Sequence, residues 1–115
     1  MGNKRVVITG LGAITPIGSG KDKVWDSLIS GKSGIDFISK FDCEDFPVKI
    51  AGEVKDFNPE DYIDKKELRR LDSFAQYAIG ATSMAIEDAN LNLKTINPNR
   101  VGVIIGTGIG GAKTW

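Results

Sequence analysis

The alternation of apolar and polar positions divides the chain into a few clear segments. Residues 5–9, with Val6, Val7 and Ile8 in succession, form a short β-branched run closed by Gly10-Leu11-Gly12, which predicts a buried strand. A loop through Thr15-Pro16-Ile17-Gly18 follows. Ser19 then precedes Asp22 at capping-box spacing and opens a helix whose stripe is Val24, Trp25, Leu28 and Ile29, ended by Gly31 and Gly34. Residues 35–53 are irregular. Phe37, Ile38, Phe41 and Phe46 demand burial there, while Pro47 and the interspersed charges allow only short extended pieces.

Asn58 and Pro59 carry the signature of a helix cap and first helical position. Asp64 with Glu67 repeats the capping-box spacing, so a helix is predicted from near Lys65 to about Asn90. Asp72-Ser73 can act as a fresh cap and predicts a break or kink. Beyond it the helix is apolar nearly all round, with Phe74, Ala78, Ala81, Ala85 and Ala89 on one side and Tyr77, Met84 and Ile86 on others. A helix without a polar face belongs in an interior, and its small residues let a strand layer or a partner helix approach closely. It reads as the central helix of a layered α/β structure. After Asn97-Pro98-Asn99, residues 101–105 predict a second buried strand, which runs into Gly106-Thr107-Gly108-Ile109-Gly110-Gly111. Only four residues follow, to Trp115, so the expectation is an interruption ahead of a helix. Two parallel strands whose C-terminal ends share a glycine-lined edge would place a ligand outside that edge.

The 115 residues suffice for one domain-sized core, and 41% hydrophobic with 26% charged residues is ordinary for a globular chain. Fifteen basic residues balance fifteen acidic ones, so overall charge argues for neither nucleic acid nor membrane, and any electrostatic partner must meet a local patch. One cysteine excludes an internal disulfide, and no apolar stretch reaches the length of a signal peptide or membrane span, which leaves the cytoplasm as the expected location. Histidine is absent, which removes the commonest general base, the commonest metal ligand and the usual partner of a nucleophilic serine or cysteine.

Three features carry candidate chemistry. Gly106, Gly108 and Gly111 fit G-x-G-x-x-G, but a dinucleotide unit places that motif after its first strand with an acidic residue about 20 positions later. Close backbone packing explains the glycines as well. Cys43 lies between Asp42 and Glu44, whose negative charges disfavour a thiolate, so a structural role is expected. Lys65, Lys66, Arg69 and Arg70 stand at helical spacing and cover one side of two turns. Such a run is either a solvated face or a docking patch for an acidic protein.

In order and spacing these segments resemble the N-terminal part of the β-ketoacyl-[acyl-carrier-protein] synthases, above all the type II elongating enzymes. The resemblance runs from residues 5–12 and Thr15-Pro16-Ile17-Gly18 through Trp25, Leu28, Gly31 and Ser33-Gly34-Ile35, then Phe41-Asp42 and Phe57. It continues over residues 69–78, Ala85, Asp88-Ala89, Leu91, and residues 101–111. It implies an α/β chain forming the N-terminal part of a thiolase-like fold, with residues 1–115 as one segment of its first half and no second domain. It implies a homodimeric condensing enzyme of bacterial fatty-acid synthesis. That enzyme takes an acyl chain from its carrier onto a cysteine and joins it to a two-carbon unit from malonyl-carrier protein, with loss of carbon dioxide. The nucleophilic cysteine and two histidines are then expected beyond this chain, and Cys43 does not match the nucleophile's motif. The resemblance also implies that Lys66, Arg69 and Arg70 face the acidic helix of acyl carrier protein. Gly108 and Ile109 would line the acyl-chain pocket. No metal or dissociable cofactor is implied, since the phosphopantetheine arm belongs to the partner.

Overall fold

The structure, a computed structural model, describes residues 2–112; Trp115 and the interruption expected before it lie outside the described residues. The chain forms two compact units. One comprises Ala13–Asn58, and the other the residues up to Gly12 together with those from Pro59 onward.

The Ala13–Asn58 unit begins with a tight antiparallel hairpin. Strands β1 (Ile14–Thr15) and β2 (Gly18–Ser19) pair Ile14 with Ser19 and Thr15 with Gly18 around Pro16-Ile17. The Thr15 hydroxyl donates to the Gly18 carbonyl at 2.9 Å and accepts the Ile17 amide at 3.3 Å, so a single side chain holds the turn. Helix α1 (Lys21–Ile29) follows, with Gly20 as its N-cap at φ 88. Ser19 does not cap it. Its hydroxyl donates instead to Asp56 at 3.0 Å, a partner 37 positions away that the capping-box reading had no means to foresee.

The C-terminus of α1 follows the sequence expectation closely. Gly31 adopts φ 67, its amide donates to Leu28, and the Lys32 amide donates to Ser27. Those two bonds satisfy carbonyls that the helix leaves open, and the left-handed conformation they require favours glycine. Ser27 is buried and donates to the Ile17 carbonyl at 2.8 Å, tying α1 to the first hairpin. Trp25, Leu28 and Ile29 remain largely exposed.

A second antiparallel pair lies within the stretch read as irregular. Strands β3 (Ile35–Phe37) and β4 (Ile50–Gly52) place Ile35 opposite Gly52, Asp36 opposite Ala51 and Phe37 opposite Ile50. The Ile38 amide extends the pairing to the Lys49 carbonyl at 2.9 Å. Within the connecting loop Phe41 and Phe46 meet edge to face with ring centres 5.8 Å apart.

The other unit contains a 3₁₀ turn at Pro59–Asp61, helix α2 (Lys65–Leu68), helix α3 (Ser73–Asp88) and a second 3₁₀ turn at Pro98–Arg100. The predicted break at Asp72-Ser73 is present, with Asp72 as the N-cap of α3. Helix α3 ends as α1 does. Asn90 takes φ 48, its amide donates to Glu87, and the Leu91 amide donates to Ile86. Asparagine is one of the few side chains that tolerates this conformation.

The small face of α3 receives the N-terminal segment. A Cβ added at Gly10 would stand 2.8 Å from the Ala89 Cβ and collide with the Ala85 carbonyl; one at Gly12 would collide with the Ala81 carbonyl. The backbone thus rests directly on the helix, as the small residues of α3 predicted.

Two expectations are corrected. Residues 5–9 and 101–105 form no ladder among the described residues, where the only sheets are β1–β2 and β3–β4. Nor are they buried: Val6 is 93% exposed and Ile104 100% exposed. An extended apolar segment becomes a buried strand only when neighbours pair with its edges and cover its faces.

Candidate functional site

The cationic segment is built on a short foundation. The amides of Tyr62 and Ile63 both donate to the Pro59 carbonyl, closing the 3₁₀ turn, and Ile63 is the buried apolar anchor beneath it. Asp64 then caps α2 by its backbone, without a side-chain hydrogen bond, and the Glu67 and Leu68 amides return to its carbonyl. The helix is only one turn long, so the two-turn basic face expected from the spacing is shortened. Arg69 is its C-cap in right-handed helical geometry, and the Arg70 amide donates to Glu67. Gln76 of α3 braces the joint by donating from Nε2 to the Leu71 carbonyl at 2.8 Å.

The four cations therefore have different fates. Lys65 is held by Glu60 at 3.0 Å. Lys66, Arg69 and Arg70 are exposed and form no ion pair among the described residues. Glu60 was missed by the sequence reading, and an acid five positions before a lysine across a proline turn is the signal that could have found it. Glu60, Asp61, Asp64 and Glu67 line an adjoining cleft of about 360 Å³, so the basic side chains border an acidic surface.

Gly108 and Ile109 lie in a turn closed by the Gly110 amide, which donates to the Thr107 hydroxyl at 3.0 Å. Ile109 is 84% exposed, and no atom stands within 4 Å of where a Gly108 Cβ would be. No described hydrogen bond or ion pair joins this turn to Lys66, Arg69 or Arg70. Cys43 is a half-exposed free thiol whose carbonyl accepts the Phe46 amide. Among the described residues no three cysteine, aspartate or glutamate side chains converge as a metal site, and no helix is long and apolar enough to cross a membrane.

The best-ordered polar groups are carboxylates of the Ala13–Asn58 unit. Glu53 is buried and accepts the Ser39 hydroxyl at 2.7 Å, the Ser39 amide at 3.1 Å and the Lys40 amide at 3.2 Å. The Ser39 hydroxyl is the main cause holding the Glu53 carboxyl below its ordinary range, outweighing the opposing effect of burial. Asp56 is lowered chiefly by the Lys23 ammonium at 2.5 Å and further by Ser19. Asp36 is lowered chiefly by Lys55 at 2.8 Å, which in turn raises Lys55. These groups fasten loops to hairpins. They form no acid–base pair of the kind that moves protons in catalysis.

Comparison with known proteins places this arrangement. Residues 3–114 match the family described as beta-ketoacyl synthase, N-terminal domain. The chain is 51% identical over 113 residues to 3-oxoacyl-[acyl-carrier-protein] synthase 2 of Staphylococcus aureus (strain COL), covering 98% of this chain and 27% of the relative. It is 48% identical over 110 residues to the protein of the same name from Synechocystis sp. (strain ATCC 27184 / PCC 6803 / Kazusa), covering 96% of this chain and 26% of that protein. The chain thus spans about a quarter of the length of these relatives. Among solved structures, the ishigamide ketosynthase/chain length factor superposes with a TM-score of 0.69 at 40% identity, over 75% of this chain and 21% of its own. The α/β arrangement is therefore that of the N-terminal part of a thiolase-like ketosynthase fold. With the match extending along almost every residue, the chain belongs to the beta-ketoacyl synthase N-terminal domain family.

Proposed function

We propose that this chain supplies the N-terminal segment of a 3-oxoacyl-[acyl-carrier-protein] synthase that elongates acyl chains in fatty-acid biosynthesis. The observation that carries the proposal is identity of about one half, over nearly the whole chain, to relatives bearing that name. The reaction joins an acyl group, held as a thioester on cysteine, to a two-carbon unit from malonyl-carrier protein with release of carbon dioxide. Its cysteine and histidines belong to sequence beyond residue 115, which accords with the absence of histidine here. Cys43 takes no part.

Within that enzyme, Lys66, Arg69 and Arg70 dock the acidic surface of acyl carrier protein. Their exposure and freedom from ion pairs among the described residues support this, because a cation already neutralised by a neighbour steers a partner poorly. Gly108 and Ile109 border the acyl chain, where each buried CH₂ contributes roughly 0.8 kcal/mol. The enzyme is a cytoplasmic homodimer, and the phosphopantetheine arrives with its carrier.

The test uses the enzyme that contains this segment, supplied with acyl- and malonyl-carrier protein. It should form the 3-oxoacyl product, whereas residues 1–115 alone should neither condense nor become acylated. Stoichiometric acylation of Cys43 would overturn the assignment of roles. A dinucleotide site at Gly106, Gly108 and Gly111 is the competing reading, and the family match does not favour it. Saturable micromolar NADPH binding by the intact enzyme would support it.

A further inference from the structure

The Ala13–Asn58 unit holds a cleft of about 250 Å³ whose lining includes none of Lys66, Arg69, Arg70, Gly108 and Ile109. Its floor is the turn of the first hairpin, where Pro16 and Ile17 press so closely on Gly34 that an added Cβ would stand 2.7 Å and 2.9 Å from them. Lys23, Lys32 and Lys55 all line it, with Ser33, Asp36 and Asp56. Three lysines and two aspartates therefore border one concavity.

The carboxylates are already engaged. Asp56 accepts Lys23, the Ser19 hydroxyl and the Ser19 amide. Asp36 accepts Lys55 and the Phe37 amide. An ammonium carries three N–H donors, so Lys23 and Lys55 each keep two after their ion pairs. Lys32 has no ion pair among the described residues. The Ser33 hydroxyl accepts the Ile35 amide at 3.1 Å and retains its own proton as a donor. The cleft is therefore rich in donors, poor in free acceptors and positive by one charge. A tetrahedral oxyanion, with oxygens pointing in several directions, suits lysines spread around the rim of a cleft better than a planar carboxylate does.

We propose that the cleft between Lys23, Lys32 and Lys55 binds a phosphate group, as free phosphate or as a phosphate monoester. Lys32 is the specific anchor, since the other two lysines are shared with aspartates.

The test is amine-selective labelling of the intact protein, read residue by residue by mass spectrometry, with Lys94 as an exposed reference outside the cleft. Inorganic phosphate and glycerol phosphate are each titrated against chloride at matched ionic strength. Lys32 modification should slow saturably, about threefold at twice the half-protecting concentration. Lys94 should be unaffected. Protection by both probes identifies the phosphate group itself as the ligand, and protection by glycerol phosphate alone identifies a monoester. A second readout is the melting temperature, which phosphate should raise in the wild type and leave unchanged in Lys32→Ala. Equal labelling in phosphate and chloride, parallel protection of Lys94, or an undiminished thermal shift in Lys32→Ala would overturn the proposal.

Discussion

The amide of Leu11 donates to the Asp88 carboxylate at 2.9 Å across 77 positions of chain, so the N-terminal glycine segment is fastened to the last turn of α3. Asp88→Ala should release it, at a cost of about 1–2 kcal/mol for a hydrogen bond to a charged acceptor near the surface. Hydrogen exchange at the Leu11 amide should accelerate in the variant. An unchanged exchange rate would show that backbone packing alone holds the segment.

Gly12→Ala should be more damaging than its size suggests. The new methyl would be forced onto the Ala81 carbonyl, and neither backbone has room to retreat cheaply. Overpacking of this kind costs about 1–3 kcal/mol. Gly102→Ala, where no atom lies within 4 Å of the added Cβ, serves as the control and should be neutral within about 0.5 kcal/mol. Denaturant midpoints of the two variants give the comparison.

Acid should loosen the Ala13–Asn58 unit. The Asp36, Glu53 and Asp56 carboxyls all lie below their ordinary values of 3.8 for aspartate and 4.5 for glutamate. The unfolded chain therefore binds more protons across that interval, and the stability contributed by these groups is complete above it and lost as pH falls through the lowered folded values. Ser39→Ala removes the largest cause at Glu53 and should move the acid transition of the β3–β4 region to higher pH. Carboxyl chemical shifts followed against pH measure this directly, and an unaltered Glu53 titration in the variant would refute it.

Reversing Lys66, Arg69 and Arg70 to glutamate in the full-length enzyme should slow association with acyl carrier protein by about tenfold or more. The dissociation rate should change far less, and the salt dependence of association should flatten. Stopped-flow binding at two ionic strengths distinguishes these effects. Unchanged rates would leave the three cations as a solvated face.

Residues 1–115 expressed alone should self-associate. Val6, Ile8, Val103 and Ile104 are each more than 70% exposed, which sets two extended apolar segments in water. Light scattering should reveal large species, and a hydrophobic dye should bind strongly. A monodisperse monomer with a cooperative melt would contradict this.

The sequence foretold features whose causes are local. Gly31 ends α1 because its backbone conformation and the Lys32 amide bond are decided within a few residues, and Asp72 opens α3 for the same reason. The small face of α3 was legible because its alanines recur at helical spacing. Partners distant in the chain were not legible. Ser19 caps nothing because Asp56 competes for it, and Glu53 carries no local sign that it will hold Ser39. The β3–β4 pairing escaped because three residues on either side of a long loop are too few to show a period. Burial of residues 5–9 was inferred from composition, which states what a segment requires and leaves open what covers it. At the candidate site the reading found the cations and their spacing. It missed that Glu60 would claim Lys65 and that α2 would last one turn.

The excursion of Ala13–Asn58 between two stretches of the other unit sets an order for assembly during synthesis. That inner portion has all its own residues as soon as Asn58 leaves the ribosome, and both its hairpins can close at once. Gly10, Leu11 and Gly12 emerge before it yet have nothing to rest on until Asp88 and Ala89 follow. At about 5–20 residues per second this leaves residues 10–12 waiting several seconds for their support. Residues 10–12 are thus made well before the helix they settle on, and a nascent-chain binding factor has a wide opportunity there.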